Sequence, residues 1–495
     1  MKSFLFVLLS MFFTLQAAAW QDFQHDLDLL GRELTRAVPD FPGFTMAVVR
    51  GPDTFVTAHG ISDPSGNKPA TPDTPYYVAS VTKPVVGLMA LLLDREGIID
   101  LDVSLADAFS NIAFRENIPA DRITLRQLLD HTHGLSNDAL TFRLAYSGAP
   151  DVYTQNRLLA STRVNTDAPP GTFDYSNLGY NILGILIERR TGTPWQDLIH
   201  EYVLGPAGME HSTAWATAAQ AWNPAVPMTS FGESGLEALY LRKRDNTMQS
   251  AGGMYMSVAD AARFLTVQLN KGRVDGEQVF PEKLIERSQH MTATVDAEFG
   301  PFKRTGYGVG WYAGPFNDHH IIHHFGGFAG SHAHISFEPA SATGVAILFN
   351  ETNVSGQVAA IMAAFAYDWP LDAARAMETA RNSIRQVAAT SHSLAERYNA
   401  QRHHLSARSW TLSRPAEEYM GVYLNAEYDA IYVRMEGETP VVRMGNLHAR
   451  ATAFTRPDTI RLELIPGEGR VITFFMGDAG QPEALEFNGA RFERQ

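Results

Sequence analysis

The stretch from Ser80 to Leu93 reads SVTKPVVGLMALLL, a short polar start followed by an almost wholly apolar run. Apolar residues on every side of that run predict a helix buried at the centre of a domain. Pro84 falls in or beside the first turn, where a missing amide donor costs little. If the helix begins at Ser80, Lys83 lies one turn further along the same face, and its amine can reach the serine hydroxyl.

This spacing indicates a nucleophile with its base. Serine reacts poorly until a partner takes its proton, and a desolvated, neutral lysine can do so in place of histidine. The same spacing occurs in Ser65 and Lys68, but the Gly-Asn pair between them is typical of a turn in which the two side chains do not meet. We therefore predict that Ser80 and Lys83 are catalytic and that the other pair is a chance match.

Residues 1–19 are typical of an export signal, with Lys2 at the charged start, an apolar stretch and three alanines before Trp20. We expect a periplasmic or secreted protein with no membrane anchor after the signal is cleaved. The chain contains no cysteine, which excludes disulfides and a lipid-modified cysteine. A net charge of −14 argues against nucleic acid or anionic lipid as partner.

Hydrophobic patterning predicts an α+β fold for residues 20–375, an antiparallel sheet flanked by helices with a helical lobe. An amphipathic helix at 23–38 opens this region and strands follow it. Helices and Gly/Pro loops fill the region to about residue 270, and strands return before a closing helix at 354–367. Residues 376–412 are charged and helix-prone, and we interpret them as a connector. Short alternating strands over 413–495 predict a small, separate all-β, barrel-like domain.

A serine-lysine pair also needs a proton shuttle, a donor that orients the substrate, and an oxyanion hole. Tyr175 could relay the proton, and the ammonium group nearby is expected to lower its pKa. Asn177 points the same way if the segment is extended, where it could hold Lys83 and the substrate amide. The same spacing in Tyr423 and Asn425 is interpreted as a strand and its turn.

The segment 323–330 reads HHFGGFAG and directly precedes a predicted strand. Two adjacent glycines, Gly326 and Gly327, allow a substrate to approach the backbone closely. The backbone amides of Ser80 and Gly327 are therefore the predicted oxyanion hole.

In their order and spacing these segments resemble the serine β-lactamase and penicillin-binding-protein superfamily, most closely its class C β-lactamase, D-aminopeptidase and esterase branch. The resemblance covers about residues 30–370, and the tail from 413 resembles the lipocalin-like barrel of some members. It implies that His324 helps to position the substrate. The family patterns SxxK, YxN and HxG or KTG match Ser80 and Lys83, Tyr175 and Asn177, and His324, Phe325 and Gly326.

Phe325 departs from relatives that bind a substrate carboxylate, because they place a hydroxyl there and phenylalanine donates no hydrogen bond. We expect its ring to face the cleft and to favour uncharged substrate groups. Two other stretches could restore carboxylate binding. Arg190-Thr191-Gly192 ends a predicted helix, so its glycine is more simply a C-cap, and Arg304-Thr305-Gly306 precedes the third motif.

Histidines at 319, 320, 323, 324, 332 and 334 raise the alternative of a metal site. Further ligands at a usable spacing are not evident, so we interpret these residues as polar groups at the cleft edge and expect neither metal nor cofactor. The sequence predicts an exported serine hydrolase that cleaves peptide amides or esters through an acyl-enzyme on Ser80. The alternatives are a β-lactamase and a non-catalytic sensor of penicillin or peptidoglycan.

Overall fold

The computed structural model describes the backbone of residues 2–495 and the side chains of residues 20–495. The predicted export signal, residues 1–19, therefore lies outside the residues that are described in full. Within the described part of the chain, no helix is long and apolar enough to cross a membrane.

A nine-stranded antiparallel sheet forms the centre of the first 370 residues. Its strands are β1 Gly43–Arg50, β2 Asp53–Asp63, β3 Lys68–Pro69, β4 Met291–Phe299, β5 Phe302–Gly308, β6 Tyr312–Phe316, β7 His319–Phe328, β8 Ser331–Glu338 and β9 Thr343–Phe349. Their order across the sheet is β4-β5-β6-β7-β8-β9-β1-β2-β3. Strand β1, which is early in the chain, pairs with the last strand, β9, where Thr45 lies opposite Leu348.

Three helices cover one face of this sheet: α1 Lys2–Ala37, α5 Ser355–Asp368 and α6 Ala373–Ser406. Alternate strand residues such as Met46 and Val48 point into this layer because successive side chains on a strand face opposite ways. Aromatic packing closes the layer, for example Phe23 stacked on Phe365 with ring centroids 5.9 Å apart.

The other face packs against α2 Thr82–Arg95, α4 Val258–Leu269 and the helical lobe. Ala47 and Val49 point into this second core, which also contains the apolar length of α2 predicted from the sequence. The lobe is built around α3 Asn177–Thr191, and its shorter helices are Leu105–Ala108, Leu125–Leu129, Asp138–Phe142, Val152–Ala160, Trp195–Ile199, Gly205–Ala207, Ala216–Ala219, Gln249–Gly252 and Glu282–Ser288.

A second nine-stranded antiparallel sheet occupies the C-terminal part of the chain. It is nearly closed into a barrel, because its two end regions contact each other. Its strands are β10 Gly421–Asn425, β11 Asp429–Glu436, β12 Thr439–Met444, β13 Leu447–Arg450, β14 Thr452–Ala453, β15 Thr459–Ile465, β16 Glu468–Met476, β17 Pro482–Phe487 and β18 Ala490–Arg494. The predicted fold class is confirmed, whereas the boundaries at 375 and 413 stay predictions.

One predicted strand, 307–312, is interrupted. Residues 309–311 leave the ladder, and Gly310 adopts a φ of +81°. A Cβ on Gly310 would lie 2.6 Å from the Pro84 Cα and 2.7 Å from the Lys83 carbonyl carbon, so glycine is required where this turn meets α2. The interruption therefore brings the sheet into direct contact with the Ser80–Lys83 segment.

Candidate active site

Ser80 lies in a short 3₁₀ turn, Ala79–Val81, that leads into α2, so the α-helix begins two residues later than the spacing predicts. Ala79 has a φ of +45°, an uncommon conformation for a residue with a side chain. Nζ of Lys83 nevertheless donates to Oγ of Ser80 at 3.2 Å. The structure thus brings the predicted nucleophile and base together.

Lys83 is fully buried, and two further oxygens accept from its amine. These are Oδ1 of Asn177 at 2.8 Å and the carbonyl oxygen of Ala251 at 2.7 Å. Within the described residues, no carboxylate forms an ion pair with Lys83. Burial without a counter-charge holds the pKa of Lys83 well below its usual range.

The second copy of the spacing has a different geometry. The Ser65 backbone N–H donates to the carboxylate of Asp63 at 2.8 Å, and Nζ of Lys68 lies 3.3 Å from the same side chain. Gly66 and Asn67 both adopt a positive φ, as expected for a turn. Ser65 and Lys68 are therefore held by Asp63 and not by each other.

Tyr175 lies in the irregular segment before α3, with its hydroxyl close to the Ser80 side chain. Its ring centre is 4.8 Å from Nζ of Lys83. The expected lowering of its pKa is wrong: burial raises the pKa of Tyr175, because it disfavours the phenolate. Tyr175 is therefore a neutral hydroxyl that can both accept and donate a proton.

Asn177 is the first residue of α3 and not part of an extended segment. Ser176 caps this helix, since its Oγ accepts from the Leu178 N–H at 3.1 Å. The start of the helix still directs the Asn177 side chain at Lys83, the partner that the sequence predicts. Because Oδ1 accepts from Lys83, the amide nitrogen of Asn177 is left to donate to a substrate.

Gly326 and Gly327 differ in how closely other atoms approach them. A Cβ on Gly326 would lie 1.9 Å from the Val78 carbonyl oxygen and 3.1 Å from the Ser80 nitrogen, so the strand touches the nucleophile turn. Gly327 is exposed, and a Cβ there would meet nothing within 4 Å. Pairing between β6 and β7 ends at His323, which leaves one edge of residues 324–328 open. The Gly327 amide therefore borders an accessible cleft next to Ser80.

His324 is buried, and both of its ring nitrogens have partners within the protein. Nδ1 lies 2.7 Å from the carbonyl oxygen of Phe325 and so carries the proton, while Nε2 lies 3.4 Å from the Tyr307 hydroxyl and accepts from it. The Ser176 N–H donates to Nδ1 of His131 at 3.3 Å, so Nε2 of His131 donates to Tyr307 at 3.2 Å. His324 is thus held in place by a chain of neutral rings.

The sequence analysis assigns no role to His131 or Tyr307, which lie in the stretches LLDHTHGL and GYGVGW. Burial is the main cause that lowers the pKa of His131 and His324 well below the usual range, and the positive charge of Lys83 acts in the same direction. Only the folded structure shows that these rings form one chain.

Phe325 does not face the cleft, so that expectation is wrong. Adjacent residues of a strand point to opposite faces, and His324 occupies the face towards Lys83. The Phe325 ring is buried in the opposite core, 4.9 Å from Phe302 and 4.9 Å from His334. The missing hydroxyl therefore reflects a packing position and carries no direct information on substrate charge.

The structure also shows the positions of the two other stretches that could bind a substrate carboxylate, residues 190–192 and 304–306. Gly192 caps α3 with a φ of +70°, as predicted. Arg304 lies on β5 with its guanidinium carbon 3.9 Å from the centre of the Tyr312 ring. The Tyr312 ring in turn stacks on Tyr175 at 6.1 Å. Within the described residues, Arg304 forms no ion pair, so one cation stands near the cleft without a carboxylate partner.

Four of the other five histidines are not polar groups at the cleft edge. His323, His332 and His334 are buried on the face covered by α5, and His319 pairs with Glu338 at 3.1 Å. Among the residues whose side chains are described, no three or more His, Cys, Asp or Glu form a group that could hold a metal.

Three sets of solved structures share this fold. The octameric penicillin-binding protein homologue from Pyrococcus abyssi has a TM-score of 0.58 at 20% identity and covers 93% of this chain and 97% of its own. D-amino acid amidase from Ochrobactrum anthropi SV3 has a TM-score of 0.56 at 18% identity, covering 70% and 99%. A beta-lactamase from Sulfitobacter sp. EE-36 gives 0.56 at 18%, covering 71% and 98%.

Sequence comparison gives a consistent result. Protein flp of Staphylococcus aureus strain MW2 is 26% identical over 319 residues, which are 62% of this chain and only 59% of flp. Penicillin-binding protein 4 of Amycolatopsis lactamdurans is 27% identical over 314 residues, 62% of this chain and 81% of that protein. The sequence model of the Beta-lactamase family matches residues 32–368, more than half of the chain. The chain therefore belongs to the Beta-lactamase family.

Proposed function

We propose that this enzyme hydrolyses peptide amides or esters through an acyl-enzyme on Ser80. The observation that supports this most strongly is the buried Lys83 amine, which lies 3.2 Å from Oγ of Ser80 and has no carboxylate partner among the described residues. An amine whose pKa is lowered in this way is neutral for part of the time near neutral pH, and its lone pair can accept the serine proton.

In acylation, Lys83 takes the proton from Oγ while Oγ attacks the substrate carbonyl carbon. The N–H groups of Ser80 and Gly327 donate to the carbonyl oxygen as it becomes negative. The Tyr175 hydroxyl passes its proton to the leaving nitrogen or oxygen as the carbonyl bond to that atom breaks, and the proton on Lys83 then passes to the Tyr175 oxygen, which restores both groups. Water next attacks the acyl carbon and gives a proton to Lys83. Lys83 passes this proton to Oγ of Ser80 as the acyl bond to Oγ breaks and the acid product leaves.

Two further residues orient the substrate. The free Nδ2 hydrogens of Asn177 donate to a carbonyl oxygen next to the scissile bond. His324 acts indirectly, because its two nitrogens bind Tyr307 and the Phe325 carbonyl and leave no donor for the substrate. This part of the proposal replaces the substrate contact that was expected for His324.

The substrate class rests on analogy with the proteins named as D-amino acid amidase and penicillin-binding protein. We place D-amino-acid and modified peptides first. Arg304, without an acidic partner near Tyr175, favours a second candidate, β-lactam hydrolysis, because β-lactams carry a carboxylate.

We also propose export, with Trp20 at the mature N-terminus, and a separate domain from 413.

A substrate panel tests the proposal. It contains D-alanine and L-alanine p-nitroanilides, p-nitrophenyl acetate and nitrocefin, with Ser80→Ala and Ser65→Ala as the matched pair of variants. We expect turnover of esters and D-amides, at least about a thousandfold lower in Ser80→Ala and unchanged in Ser65→Ala. Turnover of nitrocefin above that of all esters and amides would replace the first candidate by the second. Equal losses in the two folded variants would refute the site.

A further inference from the structure

Aromatic rings flank the open amide of Gly327. Phe328 follows it directly, is partly exposed, and stacks on Tyr146 with ring centroids 6.0 Å apart and planes 20° from parallel. Tyr77 meets Phe328 edge-on at 5.3 Å and is buried. Phe328 and Tyr146 therefore form a partly exposed aromatic wall beside the predicted oxyanion hole, and Tyr77 supports it from behind.

The same wall is connected to the C-terminal barrel. Tyr146 contacts Phe142 at 5.2 Å, and Phe142 contacts two aromatic residues of the barrel. These are Tyr428 at 5.9 Å and Phe487 at 6.3 Å. One continuous row of rings thus runs from the core of the barrel to the residue after Gly327.

Polar contacts fix the barrel on the same segment. Nη2 of Arg143 lies 3.3 Å from a carboxylate oxygen of Asp429, and Nη1 donates to the carbonyl oxygen of Glu427 at 3.4 Å. Gly445 turns with a φ of +56° directly against Ser147, where a Cβ would lie 2.5 Å from the Ser147 Cα. A side chain at Gly445 would therefore push the barrel away from this segment.

The contacted segment, Arg143–Ser147, is a single π-helical turn. Such turns are rare and are frequently found at functional sites, although a second one in this protein, His200–Leu204, lies in the helical lobe. The π turn presents Tyr146 to Phe328 on one side and Arg143 to the barrel on the other. The irregular backbone is therefore placed where the two domains and the cleft meet.

The direction of the substrate follows from the two sides of the site. Tyr175, which protonates the leaving group, contacts His131 and Tyr312. Neither of these rings is in contact with Phe328, which packs on Tyr77 and Tyr146. With the carbonyl oxygen on the Gly327 amide, the leaving group lies towards Tyr175 and the acyl group lies towards Phe328.

We propose that Phe328 and Tyr146 are the wall of an acyl-group subsite that selects aromatic acyl groups, and that the barrel holds this wall in place through the π turn. The inference rests on the proposed acyl-enzyme at Ser80. Flat rings suit the wall because aromatic pairs gain attraction beyond the burial of their area. Burial raises the pKa of Tyr146 to about 12, so the wall carries no charge of its own at neutral pH.

Two esters with one leaving group test the subsite, p-nitrophenyl phenylacetate and p-nitrophenyl acetate. The ratio of their kcat/KM values, corrected for spontaneous hydrolysis, isolates the acyl group. We expect Phe328→Ala and Tyr146→Ala in the full chain to lower the ratio about tenfold. Phe142→Leu, which removes the ring between Tyr146 and the barrel rings, should lower it about threefold. Tyr153→Ala is the matched control, because Tyr153 is an aromatic residue of the same lobe that is 78% exposed.

Phe328→Leu and Tyr146→Leu repeat the test with smaller changes if an alanine variant unfolds, and the thermal midpoint of each variant is measured. A ratio that stays within twofold of the parent in the folded Phe328 and Tyr146 variants overturns the subsite. A normal ratio in Phe142→Leu overturns the role of the barrel. Ser80→Ala distinguishes failure of the subsite from failure of the proposed function. Loss of turnover of both esters in this variant supports the acyl-enzyme on Ser80, whatever the ratio in the other variants. The ratio alone then decides whether the subsite exists.

Discussion

Gly326→Ala should lower activity far more than stability, because the added methyl group would clash with the turn that contains Ser80. The new Cβ would lie 1.9 Å from the Val78 carbonyl oxygen, whereas ordinary contacts begin at 3.4 Å. The strand or the turn must therefore move by about 1.5 Å. A misplacement of about 1 Å costs roughly a hundredfold in rate, and loss of one oxyanion donor costs about a hundredfold to a thousandfold. We expect p-nitrophenyl acetate turnover to fall by about two to three orders of magnitude.

Gly314→Ala is the matched control for this clash. Its Cβ would lie 2.0 Å from the Lys303 carbonyl oxygen, on strand β6 and away from Ser80. Overpacking of this kind costs about 1–3 kcal/mol, so both variants should lose stability to a similar extent. Urea unfolding and the rate per folded molecule are measured on both. Equal rates in the two variants, or a Gly326→Ala enzyme with at least a third of parental activity, would refute the contact between strand and nucleophile.

Three further predictions follow from other parts of the structure. Lys83→Arg keeps a cation but cannot accept a proton near neutral pH, so acylation should slow at least about a hundredfold, with Lys68→Arg as control; stopped-flow rates within threefold of the parent would exclude Lys83 as the base. Phe325→Thr removes a buried ring, so it should lower the free energy of unfolding by about 2–4 kcal/mol and leave the ratio of nitrocefin to ester turnover unchanged. A shift of that ratio in a stable variant would show that Phe325 faces the cleft after all. Burial lowers the pKa of His133 and His332 to about 4 and of His334 to about 3, whereas the pKa of histidine in the unfolded chain is about 6.5. The unfolded state therefore binds more protons as the pH falls below 6.5, and at pH 5 each histidine has lowered the free energy of unfolding by about 2 kcal/mol. Equal urea midpoints at pH 7 and pH 5 would contradict this.

The fold was predictable from the sequence where hydrophobic period and turn residues agree. The run after Lys83 has no polar face that could be exposed to solvent, so the sequence predicts a fully buried helix, and α2 is buried as expected. The alternating strands after residue 413 are bounded by turn residues, and they form the barrel-like sheet. In both regions the local pattern and the tertiary packing favour the same structure.

The site was predictable only in part. Ser80 and Lys83 are close in sequence, so helix spacing brings them together, and Asn177 still reaches Lys83 although it begins a helix. The orientation of Phe325 was missed because the motif was interpreted without applying strand alternation to its neighbour His324. The chain of His131, Tyr307 and His324 joins residues 176 and 17 positions apart, and no local period encodes such a contact.

The nucleophile itself is tested most directly by locating the covalent adduct. The enzyme is treated with a fluorophosphonate, digested, and mapped by mass spectrometry, in parallel with Ser80→Ala and Ser65→Ala. We predict one adduct, on the peptide that contains Ser80, at equal yield in the parent and Ser65→Ala and none in Ser80→Ala. An adduct on another residue, together with normal ester turnover in Ser80→Ala, would contradict the account.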